Sequence, residues 1–182
     1  MHQLLVWIDV QYGVVSSLNR PTGNVTGLAV ITNTLEPKQL QLLHEVVPTA
    51  KLVRFLANPK NPGAESDIRV VQSAASTTGQ QILMVNASND GELDTAFTVL
   101  TQQHVDALLV MADPFLNSRP DKIVALAARY ALPAMYPWRE FPKAEGLMSY
   151  GTELAAHGAR LAFMAEKFSR EPSPPTFPFN SR

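Results

Sequence analysis

The chain has 182 residues, a formal net charge of −1 at pH 7 and no cysteine. Its 46% hydrophobic and 17% charged residues are typical of a packed globular protein and argue against wholesale disorder. No basic stripe is available to neutralise phosphates, so we expect no nucleic-acid partner. The absence of cysteine excludes disulfides, thiolate catalysis and cysteine-ligated metal.

The start of the chain combines one strand pattern, Leu4–Ile8, with helical turns in Gly13–Asn19. No basic segment precedes the apolar run, so the sequence predicts no signal peptide and, as written, a cytoplasmic location. No stretch approaches the ~20 apolar residues that span a bilayer.

Strand and helix patterns alternate along the rest of the chain. The predicted strands are Val25–Thr32, Lys51–Ala57, Gln81–Val85, Ala107–Met111, Ala134–Tyr136 and Leu147–Tyr150. The predicted helices are Glu36–Val47, Ala64–Thr77 with Gly79 as its stop, one opened by Asn89–Gly91, Arg119–Tyr130 and Thr152–Phe168. This alternation predicts an α/β fold with a parallel sheet between two helical layers. The prolines of Glu171–Arg182 exclude a helix or an inner strand there.

Polar residues follow several predicted strands, at the edge where open parallel sheets bind ligands. Asp113 is the strongest single candidate for a functional residue. It either receives a ligand's ammonium or hydroxyl group, or it caps the next helix. The loop Asn58–Gly63 either offers amides and a helix N-terminus to a carboxylate or is a plain connection. The turn Ala87–Asn89 presents the same choice.

Aromatic residues crowd the last predicted strands, where they either line a pocket or pack in the core. They are Tyr136, Trp138, Phe141 and Tyr150. The four histidines lack metal-ligand spacing, and no phosphate-binding or nucleophile motif is present. The sequence therefore predicts no catalytic residues, no metal and no cofactor.

Several segments resemble a bacterial family of ABC transporter substrate-binding proteins with the type I periplasmic binding protein fold, relatives of aromatic amino-acid receptors. These segments include SLNRPTGNVTGL (Ser17–Leu28), FLANPKNPGAE (Phe55–Glu65), DALLVMADPFLNSR (Asp106–Arg119) and EFPKAEGLMSYG (Glu140–Gly151). The resemblance implies a periplasmic protein whose two lobes close over a small-molecule solute, such as an amino acid, and deliver it to an ABC permease. The ligand-binding positions it implies, together with the strand ends, are Asn58, Lys60, Asn61, Ser88, Asn89, Asp113, Phe115, Tyr150 and Gly151.

The same resemblance implies a truncated family member. We expect residues 1–24 to be a remnant of the first lobe and a crossover, and residues 25–150 to be the second, ligand-binding lobe. Residues 151–170 would be a helix normally belonging to the first lobe, and residues 171–182 a proline-rich tail. The apolar faces of Leu4–Ile8 and Thr152–Phe168 would then need cover, which predicts a homo-oligomer.

The expected function is a solute-binding component, or a fragment of one, of an ABC uptake transporter, and not an enzyme. One alternative is a flavodoxin-like enzyme or regulator that uses Asp113 as an acid, base or phosphoacceptor. The other is a non-functional truncated remnant.

Overall fold

A computed structural model describes residues 3–5, 25–27 and 35–151. Contacts divide the chain into two compact units, Met1–Val30 with Ala155–Arg182, and Ile31–Leu154. In the first unit, strand β1 (Gln3–Leu5) pairs in parallel with strand β2 (Val25–Gly27). We expected the lobe to begin at Val25. The strand at Val25 pairs with β1.

The second unit holds the other described elements. Its strands are β3 (Leu52–Ala57), β4 (Gln81–Asn86), β5 (Ala107–Val110), β6 (Ala134–Tyr136) and β7 (Met148–Ser149). Its helices are α1 (Glu36–Val46), α2 (Ala64–Thr78), α3 (Asp90–Gln102), α4 (Pro114–Asn117), α5 (Pro120–Arg129) and α6 (Glu140–Lys143). The predicted strands and long helices of this unit agree closely with these bounds. The single-turn helices α4 and α6 were not predicted, since one turn has no periodicity to detect. The predicted turns at Gly13–Asn19 and the helix Thr152–Phe168 lie outside the described residues.

The five strands form one parallel sheet in the order β4-β3-β5-β6-β7. Helices α1 and α2 contact each other, and α1 also contacts β5 and β6. Helices α3 and α5 form a second pair, which α6 extends. Because parallel crossovers are right-handed, the connections from β3 to β4 and from β4 to β5 run over opposite faces of the sheet. The predicted α/β fold, with a parallel sheet between two helical layers, is confirmed.

The hydrophobic core lies around the central strands. All four residues of β5 are fully buried, as are Val53 and Phe55 of β3. Continuous burial is expected for a strand covered on both faces. Helix α2 ends at Gly79, whose φ of 69° lies in the left-handed region that favours glycine. Within the described ranges, no helix combines the length and apolar character that a membrane crossing requires.

The chain changes direction across the sheet between β3 and β5. From β3 it continues through α2 to β4 on one side, whereas β5 lies on the other side of β3 and leads to β6. The connections that leave β3 and β5 therefore diverge to opposite faces. Such a divergence opens a crevice at the carboxyl ends of the two strands, where α/β sheets bind ligands.

Candidate functional site

The segments that follow the five parallel strands lie along one edge of the sheet, which we call the carboxyl edge. In the order of the strands they are Ala87–Asn89, Asn58–Gly63, Met111–Phe115, Pro137–Trp138 and Tyr150–Gly151. All nine sequence-predicted positions belong to this edge. Strands β4 and β7 are separated by four strand spacings, about 19 Å at ~4.8 Å each. Because that span exceeds one amino acid, the nine positions cannot all contact one such ligand.

Asp113 lies at the crevice between β3 and β5 and is only 2% exposed. Its Oδ1 accepts hydrogen bonds from the backbone N–H of Phe115 at 2.9 Å and of Leu116 at 3.1 Å. This is the geometry of a helix N-cap, and it begins α4. The sequence left a ligand contact and a capping role open for this residue, and the structure has the capping role.

The side-chain amides of two asparagines complete the surroundings of Asp113. Asn58 Nδ2 lies 3.2 Å from both carboxylate oxygens, and Asn61 Nδ2 lies 2.9 Å from Oδ2. The amide oxygens face the other way and accept the backbone N–H of Lys60 and of Gly63. A carboxylate has about four lone-pair positions. The two backbone N–H groups and the two side-chain amides therefore occupy the acceptor positions of the Asp113 carboxylate. The role of Asp113 is to position the loop after β3.

Ser88 and Asn89 likewise form hydrogen bonds at the start of a helix, α3. The Asn89 side chain accepts the Glu92 backbone N–H at 2.9 Å and donates to the Glu92 carboxylate at 2.7 Å. The Ser88 backbone N–H donates to the same carboxylate at 2.7 Å. These hydrogen bonds hold the pKa of the Glu92 carboxyl below its usual value, and the bond from the Ser88 backbone has the largest effect. The turn after β4 therefore caps α3.

The aromatic residues divide between core and surface. Tyr136, Trp138 and Phe141 are almost fully buried, and the rings of Tyr136 and Phe141 stack with centroids 4.7 Å apart. Burial also raises the pKa of the Tyr136 phenol. These three residues pack in the core. Tyr150 remains 39% exposed, and the half-buried Phe115 ring lies 5.6 Å from the guanidinium of Arg119.

The backbone at Tyr150 and Gly151 is held tightly. The Tyr150 N–H donates to the carbonyl of Tyr136 at 3.1 Å, and Gln39 Nε2 donates to the Tyr150 carbonyl at 2.8 Å. A Cβ atom at Gly151 would lie 2.0 Å from the carbonyl oxygen of Pro137. Only glycine fits this approach, so the exposed Tyr150 ring stands on a rigid base.

Sequence reasoning missed two buried carboxyl groups near this edge. Glu36 in the first turn of α1 is 2% exposed, and Asp67 in α2 is 7% exposed. Burial, with a smaller contribution from the charge of Asp67, raises the pKa of Glu36 to about 8, and burial raises the pKa of Asp67 to about 6. A signal was available in the sequence. Each carboxyl falls at i, i+3, i+4 spacing with the buried apolar residues of its helix.

A surface groove lies elsewhere, between α1 and α2. Its volume is about 590 Å³, and it contains none of the nine sequence-predicted positions. Its lining residues are Pro37, Lys38, Leu40, Gln41, Ala74, Thr77 and Thr78. Because parallel sheets bind ligands at the carboxyl ends of their strands, we take the carboxyl edge as the candidate site.

The fold and its polar carboxyl edge define the class as an α/β lobe with a parallel sheet. Residues 8–181 match the family described as ABC transporter substrate binding protein. The chain belongs to this family of ABC transporter substrate-binding proteins. The family is one of substrate-binding proteins rather than of enzymes. A comparison with curated proteins found no match.

Solved structures of low sequence identity share the fold. An ABC domain from Streptococcus pneumoniae in complex with L-Trp superposes with a TM-score of 0.78 at 20% identity, covering 94% of this chain and 58% of its own. A conserved domain protein from Vibrio cholerae has a TM-score of 0.74 at 18% identity, covering 89% and 54%. A ligand-free, open substrate-binding protein with adhesive properties from Clostridium difficile has a TM-score of 0.60 at 21% identity, covering 93% and 57%. The chain thus spans little more than half the length of these structures.

Proposed function

We propose that this chain is a solute-binding component of an ABC uptake transporter and that it binds an amino acid at the carboxyl edge of the five-stranded sheet. Membership of the family supports the general role. The observation that carries the site is the crevice where β3 and β5 diverge, beside which Asp113 holds the loop after β3 through Asn58 and Asn61. The L-Trp complex of the Streptococcus pneumoniae structure supports an amino acid as the ligand.

In this proposal, different exposed side chains of the carboxyl edge contact different parts of the ligand. The ammonium of Lys60 is exposed in the loop after β3 and provides a positive charge for a ligand carboxylate. Phe115 and Tyr150 provide aromatic surface for an apolar side chain. Asp113 does not touch the ligand; it holds Asn58 and Asn61 in place.

The proposal extends to the partners and the organisation of the protein. In it, the solute passes to a membrane permease, and the protein works outside the cytoplasm, as is typical of the family. The second unit, Ile31–Leu154, corresponds to a ligand-binding lobe, and the first unit belongs to the other lobe of the type I fold.

An enzyme that uses Asp113 is a weaker candidate. Proton or phosphoryl transfer needs an accessible carboxylate oxygen, whereas both oxygens of Asp113 accept hydrogen bonds. Among the described residues, no three potential metal-ligating side chains come together. The hydrogen bonds of Asp113 therefore argue against a catalytic role for this residue.

Thermal unfolding in the presence of added solutes tests the proposal. L-tryptophan and the other L-amino acids are compared with a panel of sugars and fatty acids. A saturable rise in Tm with an amino acid, followed by calorimetry, is the expected result. A rise with a sugar or fatty acid and with no amino acid would exclude amino-acid binding.

Tyr150→Ala and the matched control Val46→Ala locate the site. Both side chains are exposed, but Val46 ends α1 and does not belong to the carboxyl edge. We expect Tyr150→Ala to weaken binding about fivefold, the loss of one aromatic contact of ~1 kcal/mol. Val46→Ala should leave the affinity unchanged. Equal affinities for both variants would place the ligand elsewhere.

A further inference from the structure

Strand β4 forms one edge of the five-stranded sheet, and we call Gln81–Asn86 the β4 edge. Within the described ranges, β4 pairs with β3 alone. The backbone N–H of Gln81 donates to the carbonyl of Lys51, just before β3, at 2.7 Å. Because backbone groups alternate sides along a strand, those of Ile82, Met84 and Asn86 point away from β3. The β4 edge therefore offers a row of backbone donors and acceptors to a further strand.

The side chains of the β4 edge lack the features that usually protect such edges. Edge strands of natural proteins are often very short, or they carry charges, prolines or bulges. Strand β4 has six residues, QILMVN, with neither a charge nor a proline, and it is as long as the central strand β3. Near its middle, the Leu83 side chain is 37% exposed. The β4 edge thus combines free backbone groups with an apolar surface.

We propose that β4 pairs in antiparallel fashion with β4 of a second copy of this chain, about a two-fold axis beside Leu83. Such an interface uses the same patch on both copies. Leu83 then faces Leu83 of the other copy, and Ile82 faces Met84. Apolar residues oppose apolar residues at three successive positions, while the outward backbone groups of Ile82 and Met84 form the hydrogen bonds. The pairing joins the two sheets into one and is independent of the identity of the solute.

The charges of the flanking helices favour the antiparallel arrangement. Helices α2 and α3 contact β4 from the two faces of the sheet. The charged residues of α2 fall within Glu65–Arg69, and those of α3 fall within Asp90–Asp94, the first half of each helix. The two-fold axis reverses the direction of the second copy, so the charged half of each helix lies towards the uncharged half of its counterpart. Like charges on the helices are thereby kept apart.

Arg54 is the charged residue paired with Leu83 across the β3–β4 ladder, and it does not oppose the association. Its guanidinium donates to Gln103 at the end of α3. In the dimer, Arg54 is separated from its counterpart by three strand spacings, about 14 Å at ~4.8 Å each. This distance exceeds the Debye length of ~10 Å at 0.1 M salt, so the repulsion between the two guanidinium groups is largely screened.

Sedimentation of the full chain at increasing protein concentration measures the association. The wild type should form a dimer that dissociates on dilution. Leu83→Arg removes the central apolar contact and places two like charges directly opposite each other, which should raise the dissociation constant at least about tenfold. The matched control is Val46→Arg, at an exposed position that ends α1, and it should leave the dissociation constant unchanged. Circular dichroism checks that both variants keep the fold.

A single introduced cysteine tests the register, because the chain has no cysteine of its own. Leu83 would occupy a non-hydrogen-bonded pair, in which the Cα atoms lie about 4.5 Å apart and a disulfide can form. Leu83→Cys should therefore yield a disulfide-linked dimer under mild oxidation. Val85→Cys lies on the same face of β4, but its Cα would be more than about 13 Å from its counterpart. This variant should not cross-link.

Three results would overturn the proposal. A chain that stays monomeric at submillimolar concentration does not pair through β4, and the edge is then left to a strand of another protein. A dimer that Leu83→Arg leaves intact uses a different surface. Cross-linking of Val85→Cys as fast as that of Leu83→Cys would reflect random encounter or a different register.

Discussion

Replacement of Asp113 by alanine tests whether this residue organises the carboxyl edge. The substitution removes the N-cap of α4, a loss of about 1 kcal/mol. It also leaves the amides of Asn58 and Asn61 without their charged acceptor, and such hydrogen bonds contribute about 1.5–3 kcal/mol each. Since these contacts share one carboxylate, their losses do not add in full. We expect a loss of about 3–4 kcal/mol in the free energy of unfolding.

Urea denaturation followed by circular dichroism measures this loss, because the free energy of unfolding falls linearly with denaturant. Asp121→Ala is the matched control. Asp121 is an exposed aspartate in the first turn of α5, where the helix dipole contributes about 0.5 kcal/mol. Asn61→Ala should reproduce part of the Asp113 loss and add little in the double variant. If Asp113→Ala loses no more stability than Asp121→Ala, the carboxylate does not organise the edge.

Three further predictions concern packing, pH and association. Gly151→Ala should destabilise the protein by at least about 2 kcal/mol, because its Cβ would lie 2.0 Å from the Pro137 carbonyl oxygen. The control is Gly91→Ala, whose Cβ would meet its nearest neighbour at 3.5 Å. This variant should be neutral or stabilising by about 0.5–1 kcal/mol. Burial raises the pKa of Glu36 to about 8, so raising pH from 5 to 8 should reduce the free energy of unfolding by roughly 3–5 kcal/mol, and a flat profile in urea titrations would contradict this raised pKa. The homo-oligomer expected from Leu4–Ile8 and Thr152–Phe168 stays a prediction, which a monodisperse monomer in light scattering would exclude.

Much of the fold could be predicted from local patterns. The runs around Leu108 and Phe55, separated by helical periods, were sufficient to predict a parallel sheet between helices. Parallel strands place their carboxyl ends on one edge, and the polar residues that follow the strands lie along that edge. These inferences depend on spacing within short segments, which the sequence displays directly.

The partners of the site residues could not be predicted in the same way. Asp113 after a strand is compatible with a ligand contact and with a helix cap. Its hydrogen bonds from the backbone N–H groups of Phe115 and Leu116 make it a cap, and the amides of Asn58 and Asn61, which reach it across the crevice between β3 and β5, enclose it. The strand at Val25 likewise pairs with β1 rather than with the five-stranded sheet. Strand order and side-chain pairing join residues that are distant in the chain.

The sequence by itself determined the α/β class, the bounds of the long elements and the edge on which the polar residues lie. Tertiary structure alone decided that Asp113 is enclosed and that Glu36 and Asp67 are buried. The physical reason is that periodicity is a local property of the chain, whereas burial depends on which surface packs against a helix. Glu36 and Asp67 lie on helices that pack into the fold, and the desolvation that comes with their burial raises the pKa of both carboxyls.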